Sequence, residues 1–198
     1  MNRTMTMLCG AVAAALLVLT GCGSDSENSG DSPGSSTGTP AAGPHNEADV
    51  SFATDMTLHH SQAVQMADMA LATATNAPVK ALAADIKAAQ NPELVQLTGW
   101  LTGWGEAIPD TSMGGMQGMD HGSGMMTDVE MNGLSKATGG AFDRMWVEMM
   151  IRHHVGAVAM SRTEVKMGES AEANALAQSI ITSQTAQITE LRAILSEL

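Results

Sequence analysis

Two short stretches of the sequence combine residue types that bind metal ions. Met56-x-x-His59-His60 and Met150-x-x-His153-His154 each set a pair of imidazoles one helical turn after a thioether. Imidazole serves copper, zinc, iron and nickel, whereas thioether selects soft Cu(I) or Ag(I), so the mixture points to copper. Neighbouring residues on a helix project more than a quarter turn apart, so the two histidines of a pair cannot share the centre of one face. Met56 stands at the i+3 and i+4 spacings that reach both His59 and His60, and Met150 does the same for His153 and His154. A methionine stripe is ordinarily core, and a buried histidine is ordinarily a hydrogen-bonded core residue. Recurrence of the whole constellation favours ligation for these six residues, while Met66 and Met160 read as core.

A third group lies between the two motifs. Met113, Met116, Met119, His121, Met125 and Met126 are separated mostly by Gly, Ser, Gln and Asp. Glycine prevents a stable helix here, and no continuous apolar face explains the methionines by packing. Spaced thioethers with one imidazole can wrap a Cu(I) ion, more weakly than a preformed site because ordering the segment costs entropy. The competing role is oxidant scavenging through methionine sulfoxide.

The elements that must position these residues form an internal repeat. Asp49-x-x-Phe52-x-x-x-Met56-x-x-His59-His60-x-x-Ala63-Val64-x-Met66 aligns with Asp143-x-x-Trp146-x-x-x-Met150-x-x-His153-His154-x-x-Ala157-Val158-x-Met160 at a constant offset of 94. The offset persists through Leu82/Leu176, Ile86/Ile180, Gln90/Gln184, Leu97/Leu191 and Leu101/Leu195. Duplication of one supersecondary unit explains this most simply. Phe52, Met56, His59, Ala63 and Met66 step by 4, 3, 4 and 3, one face of an α-helix. A second helix per unit starts near Pro78 and after the N-cap candidate Ser170. Repeat one spans 49–101, a Met/Gly-rich crossover 105–126 and repeat two 143–195; Thr127 and Glu130 form a capping-box pattern opening a short helix over 127–136. The expected fold is all-α, a ferritin-like four-helix bundle of two helical hairpins joined by the long crossover. Pro92 should kink the second helix or break a turn of it, and because Ala186 is its counterpart the two halves should differ there. Gln90 and Gln184, polar within apolar helices, are candidates to hydrogen-bond the imidazoles and fix their tautomers.

Composition agrees. The chain has 198 residues, 17 Met, no Tyr and a net charge of −12. Few aromatics argue against a sheet protein, and the acidity argues against nucleic-acid binding. Residues 1–22 read as a secretion signal: a basic start, an apolar run too short to span a bilayer, then Leu19-Thr20-Gly21-Cys22. Those last four residues resemble the lipobox of bacterial lipoproteins, with Cys22 as the lipidated N-terminus. Residues 23–44, rich in Ser, Gly and Pro, read as a disordered tether, and 45–198 as the folded domain. With Cys9 lost in the signal and Cys22 lipidated, the domain has no thiol for disulfide, zinc or nucleophile. The carboxylate-bridged di-iron pattern fails because no Glu-x-x-His occurs, and the c-type haem, phosphate-loop and dinucleotide motifs are absent.

The repeated Phe/Trp-x-x-x-Met-x-x-His-His-x-x-Ala-Val-x-Met resembles the bacterial family catalogued as domain of unknown function 305, most clearly over Asp143 to His154. Gln90-Asn91-Pro92-Glu93 and Gly99-Trp100-Leu101 also resemble its second helix, and the likeness covers about residues 45–198. The resemblance implies a ferritin-like fold and extracytoplasmic copper binding and tolerance through Met56, His59, His60, Met150, His153 and His154. Leu58 and Arg152 stand where that family commonly has proline, and Asp55 stands opposite Met149, so the two ligand sets need not match. The resulting expectation is a non-enzymatic, exported, membrane-anchored lipoprotein that sequesters Cu(I) or Cu(II) or passes it to a copper-handling partner. The alternatives are a stress or interaction protein with structural His and sacrificial Met, and a copper-dependent oxidoreductase.

Overall fold

The structure, a computed structural model, describes residues 43–112 and 124–198. The expected signal segment, Cys22 and nearly all of the tether lie outside the described residues, as do Met113, Met116, Met119 and His121. The described residues form five helices: α1 (Glu47–Thr73), α2 (Ala77–Trp104), α3 (Asp128–Lys136), α4 (Gly139–Met167) and α5 (Ala171–Glu197). No strand occurs among the described residues, so the chain is an all-α bundle.

Local chemistry sets the helix ends. The Asn46 side chain accepts from the Ala48 and Asp49 N–H groups while Asp49 accepts from Asn46 N–H, a reciprocal capping box. Asn76 caps α2 with Pro78 in its first turn, and Ser170 caps α5. Thr127 and Glu130 form the capping box expected at α3. Helix α2 ends on Gly105, whose φ of +80° favours glycine. The expected break at Pro92 does not occur: α2 runs through it unbroken. Pro92 lies on the exposed face, while Gln90 and Leu97 on the opposite face are buried against the bundle. Packing on either side holds the helix together across the lost N–H.

Helices α1 and α2 pack as one hairpin and α4 and α5 as the other, and the hairpins meet along α1 and α4. Among the described residues two large apolar clusters fill the interior, beside the small Leu58–Met125 pair. One holds Met66, Ile86, Trp146 and Met150; the other holds Phe52, Met56, Leu97, Ala157 and Ile180. Along α1 the chain passes from the second cluster to the first, and along α4 from the first to the second. The two central helices are therefore antiparallel, and the His-His pairs fall between the clusters. Burying side chains the size of Trp146 or Met56 stabilises such a core by roughly 1.5–3 kcal/mol each. That gain must offset a polar layer in its middle.

The two turns are tied reciprocally. Asp49, at the start of α1, accepts from Glu169 N–H (3.0 Å) and Ser170 N–H (2.9 Å) in the α4–α5 turn. Asp143, its repeat counterpart on α4, accepts from Thr75 N–H (3.0 Å), Thr75 Oγ1–H (2.6 Å) and Asn76 N–H (3.0 Å) in the α1–α2 turn. Each hairpin thus holds the other's turn, which fixes the register of α1 against α4 and with it the alignment of the histidines.

Candidate metal centre

Met56, His59, His60, Met150, His153 and His154 are all fully buried. His59 and His153 lie against each other where α1 crosses α4, ring centroids 3.6 Å apart and planes tilted by 38°. His60 and His154 flank them, at 6.5 Å from His59 and 6.3 Å from His153. The repeat therefore brings four imidazoles into one buried layer, with His59 and His153 as its central pair. Met56 and Met150 belong to the clusters on opposite sides of this layer.

The outer imidazoles are anchored. His60 Nε2 is 2.7 Å from Glu93 Oε2, and His154 Nε2 is 2.8 Å from Gln187 Oε1. Glu93 and Gln187 are repeat counterparts, each 33 residues beyond its histidine. With an oxygen accepting at Nε2, that nitrogen carries a proton, which makes Nδ1 the atom that holds the lone pair in the neutral ring. The role expected of Gln90 and Gln184 falls one helical turn further along. Both glutamines are buried, yet Gln90 Oε1 and Nε2 and Gln184 Oε1 have no hydrogen-bond partner among the described residues. A residue three positions on faces the same neighbour one turn higher, and that turn is level with the outer imidazoles.

The lone pairs are open for use. The Nδ1 atoms of His60 and His154 are buried without a hydrogen-bond partner, and the ring nitrogens of His153, equally buried, have only the His59 backbone beside them. Orphaned buried nitrogens are costly, and each in a native core calls for an explanation such as an ion. Burial holds the His153 imidazole far below its usual range, and the neighbouring His59, His154 and His60 add to the effect. Burial also brings His154 down to about 4, against the Gln187 hydrogen bond and with help from His60. Both rings are neutral at physiological pH, the state that ligates metal. Among the described residues no three His, Cys, Asp or Glu side chains converge as a ready-made site. A cation bound in this layer would draw on an imidazole pair and on thioether sulfur, a soft donor set.

The end of the crossover is docked beside this layer. Gln62 on α1 donates through Nε2 to Met126 O (2.8 Å) and accepts from Met126 N–H through Oε1 (2.6 Å). Gly124, with φ +78°, lies so close to α4 that a Cβ there would sit 2.5 Å from Arg152 O and 3.1 Å from Gly156 Cα. Gly156 is the repeat counterpart of Gln62. One central helix supplies the clamp and the other supplies the space. Met125 packs on Leu58, and Met126 is buried, its sulfur accepting from Arg152 Nη2 at 2.7 Å. A guanidinium already occupies that thioether, so a cation at Met126 would have to displace Arg152. The sequence carries no signal for the Gln62 clamp, because its repeat partner has no side chain. Met66 lies in the core, its carbonyl accepting from Trp146 Nε1–H at 2.8 Å, and Met160 packs half-buried on the second cluster.

A family model described as "Domain of unknown function (DUF305)" matches residues 49–195. The chain belongs to the DUF305 family. Solved members share its fold. A DUF305 fragment from Deinococcus radiodurans is 28% identical with a TM-score of 0.69, the match covering 79% of this chain and 100% of that one. A Streptomyces coelicolor DUF305 protein, assigned as secreted, is 31% identical with a TM-score of 0.67, covering 76% and 91%. CopM in its Cu(II)-bound form is 33% identical with a TM-score of 0.65, covering 75% and 96%. CopM structures with Cu(I) and with silver match as well. No match was found among functionally curated proteins.

Proposed function

We propose that this chain is an exported, lipid-anchored copper-binding protein that takes up Cu(I) through the Met and His residues of the repeat. It sequesters copper or passes it to a partner, without catalysis. The observation that carries the reading is His153, a fully buried imidazole kept neutral and set directly against His59 between the two apolar clusters. Met56, His60, Met150 and His154 complete the donor set on either side, and Glu93 and Gln187 orient the outer rings. The copper- and silver-bound forms of CopM support the choice of ion. The crossover residues Met113, Met116, Met119 and His121, with Met125, form a weaker exchangeable set, and Cys22 carries the lipid.

The test is a competition titration of the full chain with Cu(I) against a chromophoric chelator, beside His153→Gln and a crossover variant (Met113, Met116 and Met119→Leu, His121→Asn). The wild type should capture Cu(I). His153→Gln should weaken the tightest event by at least tenfold, equivalent to about 1.4 kcal/mol, and the crossover variant should lose only weaker ions. A wild type that cannot compete for Cu(I) while remaining folded removes the copper reading.

A further inference from the structure

The pseudo-symmetry fails at one buried place unrelated to the histidines. Where repeat one has Ala70 and Ala74, repeat two has Glu164 and Gly168. Glu164 is 1% exposed, and neither carboxyl oxygen has a donor among the described residues. Gly168 has an ordinary φ of −72°, so backbone freedom does not explain it. Space does: a Cβ at Gly168 would collide with the Glu164 carboxyl and lie 2.8 Å from Asp49 Oδ1. The volume of two methyl groups in one half thus becomes a carboxyl group facing Asp49 in the other.

Asp49 is fully buried and already accepts three backbone N–H bonds, from Asn46, Glu169 and Ser170. It is an acceptor only while ionised, and the proton joining the two carboxyls must come from Glu164. We propose that Asp49 and Glu164 form a proton-sharing pair that latches the α4–α5 turn onto the start of α1 and loosens when the proton is lost. Two buried carboxylates in contact cannot both be charged without a cation. Glu164 shares a pocket with Asp55 of α1, and Glu172 in the first turn of α5 accepts from the Oγ–H of Ser170, whose N–H is bound to Asp49. Both are acidic, and among the described residues no ion pair brings Lys, Arg or His to either member. The pocket, about 310 Å³ and lined by Phe52, Asp55, Met160, Thr163, Glu164 and Met167, gives water a route to the proton.

The electrostatics run the same way. Burial, the hydrogen bond to Asp49 and the charge of Asp49 push Glu164 up to about 8. Burial alone would raise Asp49, but the hydrogen bonds from Glu164, Asn46, Glu169 and Ser170 outweigh it and hold Asp49 below its ordinary value. A carboxyl raised in the folded state binds a proton that the unfolded chain has released. Its stabilising contribution is therefore full below its ordinary 4.5 and lost progressively as pH rises toward about 8.

The Asp143 turn supplies an internal control, because repeat one has Ala70 and Ala74 where repeat two has Glu164 and Gly168. We would follow the Glu164 side-chain carbon by NMR in the metal-free full chain from pH 4 to 10. Glu164→Gln assigns the signal, and amide exchange is read at Glu169 and Ser170 against Thr75 and Asn76. The expected result is a Glu164 midpoint near 8. Protection at Glu169 and Ser170 should fall several-fold more than at Thr75 and Asn76 across that midpoint, with the difference abolished in Glu164→Gln. A midpoint near 4.5, or protection lost equally at both turns, overturns the proposal. If Glu164→Gln does not fold, the wild-type midpoint and the two-turn comparison still decide.

Discussion

The two halves of this protein descend from one pattern, and their differences show which parts each half has put to separate use. The apolar positions match across the repeat, and the four histidines superpose in role: an inner ring meeting its twin, an outer ring anchored 33 residues on. Beyond that the halves diverge. Repeat one anchors its outer imidazole with the carboxylate of Glu93, repeat two with the amide of Gln187. Repeat one carries the Gln62 clamp that receives the crossover, repeat two the bare backbone of Gly156. Repeat two adds Glu164 beside Asp49, where repeat one keeps alanines. Shared features maintain the layer of imidazoles; unshared ones surround it with unequal charge and unequal access.

The largest expected effect comes from breaking what both halves share. Asp143→Ala should destabilise the chain by about 3 kcal/mol, because it strands two backbone N–H groups and a hydroxyl at a part-buried turn. Chemical denaturation measures it, and a loss under 1 kcal/mol would mean that the turns are not tied as described.

Gly168→Ala comes next, at about 2 kcal/mol of overpacking against Glu164. Combining it with Glu164→Ala, which recreates the alanine pair of repeat one, should recover most of that loss. A double-mutant cycle with no coupling would show that the two positions do not exchange volume.

The smallest effect equalises the halves. Glu93→Gln gives His60 the partner that His154 has, replacing a charge-assisted hydrogen bond by a neutral one at a cost of roughly 1 kcal/mol. Nitrogen-15 NMR should show His60 still protonated at Nε2 in this variant. A switch to the other tautomer would mean that the carboxylate, and not merely an acceptor, sets the lone-pair direction.

Much of this was legible in the residues. The constant offset exposed the hairpins, and the 4, 3, 4, 3 stepping placed His59 and His153 on the faces that meet. Thr127 with Glu130 and Ser170 marked helix starts because capping is local chemistry. What escaped was long-range. Pro92 is tolerated because its face is solvent and the opposite face is packed. The imidazole partners lie one turn beyond the glutamines that composition singled out; the 33-residue spacing shared by Glu93 and Gln187 was the available signal. Asp49 and Asp143 opened both repeats, yet their partners lie in turns 67–68 and 120–121 residues away. Only the packing of α1 on α4 brings them together.

Whether the buried imidazole layer is a soft-metal site can be seen in the crystal structure of the silver-loaded full chain. Silver stands in for Cu(I) and is located by its anomalous scattering. The expected result is an ion bound by His153 with His59 or a sulfur of Met56 or Met150, and the outer rings still held by Glu93 and Gln187. Silver confined to surface methionines, with the His59–His153 contact unchanged, would contradict a metal role and make the four histidines architecture alone.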